Sequence, residues 1–350
     1  MIISAGMKVF VTGASGRIGK VVVKKLASSG LKVVSFDRTE QQEQILPDVE
    51  YIHGDINDFN FLMRHMKGAD AVVHLAALPA PDRGTSQEII RINVLGTFNV
   101  FRTAVENGIK KIVQASSINA LGSAYGIKKF DVKYFPIDEE HPSYITDPYS
   151  LSKKMDEEIA EYFWRRETLS SFSLRFPGVM DTATFRFRFI DRELVMKAIA
   201  DLENMKSDER AKLIDSVFAD MESVIQGWQK GKISEIQDPA LQAKMIRERI
   251  ILWARKNFWT YLDYNDAAQA VLKSLQADVT GAHHLFLSAA NNGTGIETMR
   301  LLKVFFPEVK EFKKKIKGYE PAVSIDKAVG LIGFKPEYNI DIEQAGASKN

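Results

Sequence analysis

The sequence predicts an α/β fold built on a doubly wound parallel sheet. Between Lys8 and about Met180, short apolar β-type runs alternate with amphipathic helical segments, which is the pattern of consecutive βαβ units. A glycine-rich turn follows the first run directly, and a helical segment follows the turn. The chain has 350 residues, of which 45% are hydrophobic and 26% charged, so it can bury a large core. We therefore expect one large domain or two closely joined lobes.

Six strands are predicted before Met180, each a short run rich in β-branched and aromatic residues. Their ranges are 8–12, 32–36, 49–54, 71–76, 111–116 and 171–176. Helices fill the intervals between them. One helix is predicted to begin at Asp147-Pro148, because aspartate favours the cap position and proline the first turn.

The composition becomes helical from about Arg186 to Asn257. The pattern then returns to a helix, YNDAAQAVLKSLQ, and an apolar strand, HHLFLSA. Within the helical block, a further helix is predicted to begin at Asp238-Pro239. Apolar residues recur at helical spacing earlier in the block, at Leu213, Ile214, Val217, Phe218, Met221, Val224, Ile225 and Trp228.

These changes divide the chain into three regions. We expect a Rossmann-type nucleotide-binding domain at residues 1–180, to which residues 258–290 return. Residues 181–257 form a helical insertion, for which three roles are open: a substrate lid, an oligomer interface, or extra cover for the core. Residues 291–350 complete a smaller substrate-binding region.

Composition argues against several classes of function. A formal charge of +2 gives no bulk electrostatic reason to expect nucleic acid or a membrane surface as a partner. Cysteine is absent, which excludes disulfides and thiolate chemistry. No apolar run reaches the roughly 18 residues of a membrane span, and the first residues lack the features of a signal peptide, so we expect a cytoplasmic protein. The neighbours His283 and His284 lie in a predicted strand and point to opposite faces, so no metal site is expected.

A phosphate-binding turn is predicted at TGASGRIG, residues 12–19. Gly13, Gly16 and Gly19 stand at a strand-to-helix turn, where the absence of side chains lets the backbone approach a pyrophosphate. The helix that follows offers free N–H donors and the positive end of its dipole. The residues between the glycines complete the expected contacts: Ser15, Arg17 and Ile18.

Asp37 ends the second strand, where it is placed to accept hydrogen bonds from the adenosine ribose. An acid at this place favours NAD, because it would repel the 2′-phosphate of NADP. The adjacent Arg38 is able to bind that phosphate, so NADP stays possible. His74 is expected to be a packed strand residue. The remaining cofactor contacts are expected after the third and fourth strands, at Asp55, Ile56, Leu75, Ala76 and Ala77.

A tyrosine and a lysine four residues apart are candidates for proton transfer, because on a helix this spacing puts the phenol and the ammonium on one face. The spacing occurs twice, at Tyr149 and Lys153 and at Tyr125 and Lys129. Gly126 weakens a helix at the second place. Since Tyr149 stands at the start of a predicted amphipathic helix, Tyr149 and Lys153 are the predicted pair.

Taken in order, these segments resemble the extended short-chain dehydrogenase/reductase family, which contains nucleotide-sugar epimerases, dehydratases and several sugar dehydrogenases. The resemblance covers nearly the whole chain except the helical insertion. The segments that carry it are TGASGRIG (12–19), Asp37, GDI (54–56), HLAA (74–77), NVLGTFNV (93–100), ASS (115–117), YSLSK (149–153), LRFPGV (174–179), YLDYNDAAQAV (261–271) and SIDKAVGLIGFKPEY (324–338).

The resemblance implies a role for each residue of the reactive centre. Tyr149 matches the general base or acid that exchanges a proton with the substrate as a hydride moves to or from the nicotinamide. Lys153 matches the lysine that holds the nicotinamide ribose and lowers the pKa of the tyrosine, which is near 10 in a free side chain. Ser117 matches the hydroxyl residue that hydrogen-bonds the reacting oxygen, with Ser116 as the alternative.

Further positions follow from the same resemblance. Asn93 and Pro177 match family positions near the cofactor, and Asn93 also matches one used in helix packing. On the substrate side the candidates are Pro79, Arg83 and Asn119, with a solvated loop charge as the open alternative for Arg83. Family members are commonly dimers, so a homodimer is expected.

Departures from the family narrow the reaction. Dehydratases carry acidic residues just after the catalytic hydroxyl residue, whereas this chain has Ile118 and Asn119, so a dehydratase is disfavoured. The same two residues replace the asparagine-histidine pair of uronate dehydrogenases. Nucleotide-sugar epimerases commonly carry an asparagine three residues after the arginine that matches Arg175, where this chain has Gly178.

The resemblance therefore implies an NAD-dependent oxidoreductase. It would transfer a hydride between the nicotinamide and a secondary hydroxyl or ketone of a sugar or sugar-like substrate. A nucleotide-sugar 4-epimerase that retains NAD is the alternative. A non-catalytic NAD-sensing protein is a third reading.

Overall fold

The computed structural model describes residues 2–40, 46, 48–184, 192–219, 221 and 238–341. Its strands are β1 Lys8–Thr12, β2 Lys32–Asp37, β3 Val49–His53, β4 Ala71–His74, β5 Lys111–Ser117, β6 Tyr134–Phe135, β7 Ser170–Phe176, β8 Gly178–Met180, β9 Tyr261–Asp263, β10 Ala282–Phe286 and β11 Glu311–Phe312. Within the described chain, seven of them form a parallel sheet in the order β10-β7-β5-β4-β1-β2-β3. Two smaller sheets pair β11 with β6 and β8 with β9.

The described helices are α1 Arg17–Ser28, α2 Phe59–His65, α3 Ser86–Ile89, α4 Gly96–Glu106, α5 Pro148–Glu167, α6 Arg192–Asn204, α7 Ser207–Ala219, α8 Pro239–Asn257, α9 Tyr264–Gln276, α10 Thr298–Phe305 and α11 Asp326–Ile332. A π-helical segment, Ile90–Leu95, joins α3 to α4. Among the described residues, no helix is both long and apolar enough to cross a membrane.

The large sheet confirms the predicted doubly wound α/β fold. β1 pairs with β2 on one side and with β4 on the other, so the order of the strands along the sheet reverses at β1. In open sheets of this kind, a ligand crevice opens at the carboxyl ends of the strands beside such a reversal. The six strands predicted before Met180 agree with the observed ones to within two residues at each end, whereas the predicted strand HHLFLSA extends three residues beyond the end of β10 at Phe286.

Two apolar layers cover the faces of the sheet. One layer packs α1, α9 and α11 against the sheet through buried residues that include Val22, Leu26, Ala267, Val271 and Ala328. The other packs α2, α4 and α5 through buried residues that include Leu62, Val100, Phe101, Ala160 and Phe163. Each helix buries an apolar stripe, as the 3.6-residue period of its sequence requires.

A third apolar cluster forms the core of a smaller lobe. It joins α6, α7, α8 and α10 to the segments around β6 through residues that include Phe135, Leu202, Phe218, Ile250 and Phe305. Asp238 caps α8 with Pro239 in its first turn, as predicted. Of the predicted apolar stripe, Leu213 through Met221 join or contact this cluster. The remainder, Val224, Ile225 and Trp228, lie outside the described residues.

Candidate active site

Helix α5 presents the predicted tyrosine and lysine from its first two turns. The Asp147 carboxylate caps the helix by accepting a hydrogen bond from the Ser150 N–H at 2.8 Å, and Pro148 occupies the first helical position. Tyr149 and Lys153 follow on the face that packs against the sheet, and their side chains are buried. The cap and the proline therefore fix where the pair lies.

Strand β5 brings one of two serines to this pair. Successive side chains of a strand point to opposite faces. Ser116 Oγ donates a hydrogen bond to Glu157 Oε1 at 2.8 Å, away from the tyrosine. The Ser117 hydroxyl instead faces the Tyr149 phenol and lowers its pKa. The geometry thus places Ser117, rather than Ser116, beside the phenol.

Tyr149 is surrounded by groups with opposing effects on its proton. Burial raises the pKa of Tyr149 above that of a free tyrosine, while the Lys153 ammonium and the Ser117 hydroxyl lower it. Burial outweighs the other two, so the net shift is upward. Lys153 lowers the pKa of Tyr149, as the family resemblance implies. The net shift of that pKa is upward, however, whereas the resemblance implies a downward shift.

Lys153 is held from two sides. Its Nζ donates one hydrogen bond to the Ala115 carbonyl oxygen at 2.9 Å and another to Asp156 Oδ2 at 3.0 Å. Burial lowers the pKa of Lys153, but the charges of Asp156 and Tyr149 outweigh burial and raise it. An ammonium has three donors, so these two contacts account for two of them.

Tyr125, the tyrosine of the second Tyr-x-x-x-Lys segment, lies beside Tyr149, but Lys129 does not accompany it. Residues 122–130 form an irregular, bent loop rather than a helix. The Tyr125 ring packs edge-on against the Tyr149 ring, with centroids 5.4 Å apart. Lys129 pairs instead with Asp215 of α7. The structure therefore brings together Tyr149 and Lys153, and it separates Tyr125 from Lys129.

The glycine turn is closely packed beside β4. Gly13 has a φ of +70°, and a Cβ on it would lie 2.5 Å from the Ala76 nitrogen. A Cβ on Gly19 would lie 2.1 Å from the Gly13 oxygen. Helix α1 then begins at Arg17 with no side-chain cap and no acidic residue in its first turn. The first N–H groups of α1 are thus available to an anion.

Asp37 lies next to this turn at the end of β2. Its Oδ2 accepts a hydrogen bond from the Ser15 N–H at 2.9 Å, and its Oδ1 accepts one from the Thr39 N–H at 2.8 Å. Each carboxylate oxygen has two lone pairs, so both oxygens keep capacity for the hydroxyls of a ribose. The adjacent Arg38 is exposed.

The other predicted cofactor residues border the same crevice. Leu75, Ala76 and Ala77 follow β4, and the Ala76 N–H donates to Thr12 Oγ1 at 3.3 Å. Asp55 and Ile56 follow β3. Burial raises the pKa of the Asp55 carboxyl, but hydrogen bonds from Asn57 and the charges of Arg38 and Arg91 outweigh burial, so the net shift is downward.

Asn93 is fully buried and its side chain is fully engaged. Its Oδ1 accepts from the Leu78 N–H at 2.8 Å, and its Nδ2 donates to the Leu78 oxygen and to Ser152 Oγ. It therefore ties the loop after β4 to α5, which is the helix-packing role. Pro177 is buried between β7 and β8.

A family model described as NAD dependent epimerase/dehydratase family matches residues 9–209, more than half of the chain. The chain belongs to the NAD-dependent epimerase/dehydratase family. The predicted resemblance is thereby confirmed, and so is NAD as the cofactor of the family.

Relatives with curated names within this family carry out different reactions. The chain is 31% identical to a UDP-glucose 4-epimerase of Halalkalibacterium halodurans over 166 residues, which are 46% of this chain and 47% of that protein. It is 26% identical to an L-arabinose 1-dehydrogenase (NAD(P)(+)) of Haloferax volcanii, over 61% of this chain and 86% of that protein. The chain thus spans about half the length of the epimerase relative.

Solved structures of the family share the fold. A short-chain dehydrogenase/reductase superfamily protein from Agrobacterium tumefaciens with bound NAD aligns with a TM-score of 0.61 and 21% identity, over 97% of this chain and 96% of that one. A UDP-glucose 4-epimerase from Thermotoga maritima with UDP-glucose aligns with a TM-score of 0.61 and 17% identity, over 97% of both chains.

The residues of this family member fit NAD. The uncapped first turn of α1 suits a pyrophosphate, and the unused lone pairs of Asp37 suit ribose hydroxyls. At the other end of the crevice, Lys153 has a third donor for a second ribose. The histidine of the HLAA segment is not part of this set. His74 is buried between Thr12 and Thr97, and burial and the Lys153 charge lower its pKa to about 3, so it is neutral.

The predicted substrate-side residues differ in their exposure to solvent. Pro79 and Arg83 are exposed on the loop after β4. Asn119 is buried, and its amide donates to Ser117 Oγ at 3.1 Å and accepts from the Ala124 and Tyr125 N–H groups. Asn119 therefore holds the loop that carries Tyr125. His283 and His284 contact Thr280 and Glu161 separately.

Three features of the site were not predicted from the sequence. One is the contact of Tyr125 with Tyr149, and another is the hydrogen bond from Lys153 to Asp156. The third is a buried ion pair between α5 and β7, in which Arg175 Nε and Nη2 donate to the two oxygens of Glu157 at 2.8 Å. The three-residue spacing of Lys153 and Asp156 was a usable signal, since it puts both on one helical face; no local spacing indicates the pair of Glu157 with Arg175.

Proposed function

We propose that the chain is an NAD-dependent oxidoreductase that transfers a hydride between the nicotinamide and a secondary hydroxyl or ketone of a sugar or sugar-like substrate. The observation that carries this proposal is the buried cluster of Ser117, Tyr149 and Lys153 where β5 ends and α5 begins. The name of one relative, L-arabinose 1-dehydrogenase, supports the substrate class.

Each residue of the cluster has a separate task. In the direction of oxidation, the Tyr149 oxygen takes the proton of the substrate hydroxyl, and in reduction the phenol returns it. The Lys153 ammonium stabilises the phenolate and gives its third N–H to a ribose hydroxyl. Ser117 donates a hydrogen bond to the reacting oxygen. NAD, when bound, accepts the hydride, and NADH donates it.

At the cofactor end of the crevice, each group is likewise proposed to bind one part of NAD. The N–H groups of Arg17, Ile18 and Gly19 bind the pyrophosphate, and Asp37 binds the adenosine ribose. A carboxylate at this place disfavours NADP. When NAD and NADP are supplied in separate assays, turnover by the unmodified protein is expected to be faster with NAD. Asp37→Ser is expected to narrow that preference, and a wild-type preference for NADP would contradict the role of Asp37.

A nucleotide-sugar 4-epimerase is the second candidate. The likeness to UDP-glucose 4-epimerases in sequence and in fold favours it. Gly178 stands where such epimerases commonly carry an asparagine, which favours the dehydrogenase.

One experiment separates these functions. Purified protein is incubated with NAD and a panel of sugars, sugar acids and nucleotide sugars, and NADH absorbance is followed. Net NADH formation is expected, and it supports the dehydrogenase. NAD that stays bound through gel filtration, with interconversion of nucleotide sugars and no net NADH, supports the epimerase. NAD binding without turnover of any sugar supports a non-catalytic NAD-sensing protein.

The helical insertion at 181–257 is proposed to cover the substrate side. Lys256 Nζ at the end of α8 donates to the Gly126 carbonyl oxygen at 3.1 Å, and Asp215 of α7 pairs with Lys129. Both contacts hold the loop of Tyr125. Lys256→Met is expected to raise the KM for the substrate while the affinity for NAD stays unchanged, as a fluorescence titration would measure. Equal loss of both affinities would contradict this role.

A homodimer is proposed through the outer face of α4 and α5. Large apolar side chains are exposed on this face and on the π-helical segment before it, namely Leu95, Phe98, Leu151, Met155 and Tyr162. A second copy of the face would bury them. Sedimentation of the unmodified protein is expected to give a dimer, and Phe98→Glu a monomer. A wild-type monomer would contradict the proposal.

A further inference from the structure

Asn119 contacts the serine that faces the Tyr149 phenol. Both residues are buried, with 5% of Asn119 and 6% of Ser117 exposed. The segment Ile118–Leu121 forms a short 3₁₀ turn directly after β5, and Ser117 occupies its cap position. The backbone N–H of Asn119 and its side-chain Nδ2 each donate a hydrogen bond to Ser117 Oγ at 3.1 Å. One residue therefore supplies two donors to the serine oxygen.

The amide of Asn119 is held in one orientation by the loop that carries Tyr125. Its Oδ1 accepts hydrogen bonds from the backbone N–H groups of Ala124 and Tyr125 at 3.1 and 3.2 Å. If the amide were turned over, Nδ2 would face these two donors, and an amide nitrogen accepts no hydrogen bond. The loop therefore requires that the donor atom, Nδ2, is the one that faces Ser117.

The two contacts from Asn119 determine how the Ser117 hydroxyl acts on a further group. A serine hydroxyl has one O–H donor and two acceptor lone pairs. Asn119 uses both lone pairs, so Ser117 acts toward any other group as a donor. The Phe176 carbonyl oxygen lies 3.5 Å from Ser117 Oγ, beyond the range of about 2.5–3.0 Å for O–H···O hydrogen bonds, so it holds the serine proton only weakly. That proton is available on the side of the Tyr149 phenol.

We propose that Asn119 is a positioning residue of the reactive centre: its two N–H groups fill the lone pairs of Ser117 Oγ and so direct the serine proton to the reacting oxygen of the substrate. Asn119 then acts on the substrate through Ser117 rather than by contact with it. This role rests on the proposed function, because it gives a direction to the hydrogen bonds of that reaction.

The direction of this hydrogen bond decides where the substrate proton goes. Because the lone pairs of Ser117 are filled, the substrate hydroxyl gives its proton to Tyr149 and not to the serine. In oxidation the O–H proton passes to the Tyr149 oxygen, the C–H hydride passes to the nicotinamide, and a carbonyl forms. Ser117 keeps its own proton throughout. In reduction that proton stabilises the negative charge that develops on the carbonyl oxygen.

A double-mutant cycle of Ser117→Ala and Asn119→Asp tests this role by steady-state NADH formation. Asn119→Asp keeps an oxygen for the N–H groups of Ala124 and Tyr125, but it puts an acceptor in the place of Nδ2, so that the serine would donate to it. Each single variant is expected to lower kcat by about 10²- to 10³-fold, with the affinity for NAD unchanged. The double variant is expected to lie within about twofold of the less active single variant, because both changes remove the same hydrogen bond.

Losses that add in this cycle would overturn the proposal, since a direct substrate contact, a displaced loop or the added charge would act with or without the serine hydroxyl. Ser116→Ala is the matched control. The Ser116 hydroxyl donates to Glu157 Oε1 on the other face of β5, so its loss is expected to add to that of Asn119→Asp. Equal failure to add in both cycles would also overturn the proposal. If Asn119→Asp does not fold, Asn119→Ala supplies the same cycle with a smaller loss, because the backbone N–H stays.

Crystal structures of the protein and of Asn119→Asp separate this role from the proposed function, because they need no turnover. The asparagine amide nitrogen is expected about 3 Å from Ser117 Oγ. In Asn119→Asp the carboxylate is expected at about 2.5–2.7 Å from that oxygen, because a hydroxyl that donates to a carboxylate makes a shorter bond. A carboxylate turned away from the serine, or an unchanged distance, would overturn the proposal. Absence of turnover in the wild type would count against the proposed function and leave the structural result standing.

Discussion

The chain carries the spacing Tyr-x-x-x-Lys in two regions that fold differently. At Tyr149 and Lys153 the segment begins α5, and both side chains are buried against the sheet. At Tyr125 and Lys129 the segment forms an irregular loop, and the lysine pairs with Asp215 near the surface. The same spacing therefore has chemical meaning only where a capped helix start and a strand end bring both groups to one crevice.

The two tyrosines nevertheless meet. Their rings pack edge-to-face with centroids 5.4 Å apart, so Tyr125 forms a wall of the candidate site beside Tyr149. A variant of Tyr149 therefore has a matched control in the same substitution of Tyr125. A variant of Lys153 has a matched control in the same substitution of Lys129.

The largest expected effect is on proton transfer. Tyr149→Phe removes the hydroxyl that we propose exchanges the proton, so turnover is expected to fall by roughly 10² to 10⁴-fold. Tyr125→Phe removes a hydroxyl of the same kind from the neighbouring ring and is expected to keep most of the activity. Steady-state NADH formation measures both, with a fluorescence titration to verify that NAD still binds. Equal losses in the two variants would break the distinction between the two regions.

The lysines differ in what their removal leaves behind. Lys153→Met strands the buried Asp156 carboxylate, and breaking such a pair costs about 3–5 kcal/mol of the free energy of unfolding. Lys129→Met removes an exposed ion pair, which is worth about 0–1 kcal/mol. Denaturant unfolding of both variants gives the comparison. A cost at Lys129 as large as that at Lys153 would show that the loop pair is also structural.

The smallest effect is expected from substitution of Tyr125, whose ring packs against that of Tyr149. Tyr125→Ala removes an aromatic contact worth about 0.5–1.5 kcal/mol, so the KM for the substrate is expected to rise roughly two- to tenfold. The turnover number should change less than the KM. Initial rates over a range of substrate concentrations separate the two parameters. A fall in turnover as large as that of Tyr149→Phe would place Tyr125 in the chemical step.

The parts of the molecule that the sequence predicts depend on local rules. The alternation of runs predicts the parallel sheet, the glycine spacing predicts the turn before α1, and Asp147-Pro148 predicts the start of α5. These features arise from backbone conformation and strand or helix period within a few residues. For that reason they can be inferred without knowledge of distant contacts.

The remaining features depend on distant contacts. Nothing near Tyr125 in the sequence indicates that its ring packs against Tyr149, because the loop is held by Asn119 and by Lys256 of α8. The resemblance also implies a lowered pKa for Tyr149, whereas burial and Asp156 act in the opposite direction. Burial of a side chain is set by the whole fold, so the sequence alone does not give the net shift.

A crystal structure of the protein with bound NAD would show directly whether Tyr149 and Lys153 meet the nicotinamide half of the cofactor. We expect Lys153 Nζ and the Tyr149 hydroxyl each to lie within about 2.6–3.2 Å of a ribose hydroxyl of that half. We also expect the pyrophosphate to lie at the first turn of α1. A nicotinamide ribose that contacts neither residue, or a nicotinamide closer to the Tyr125 hydroxyl than to that of Tyr149, would contradict the account.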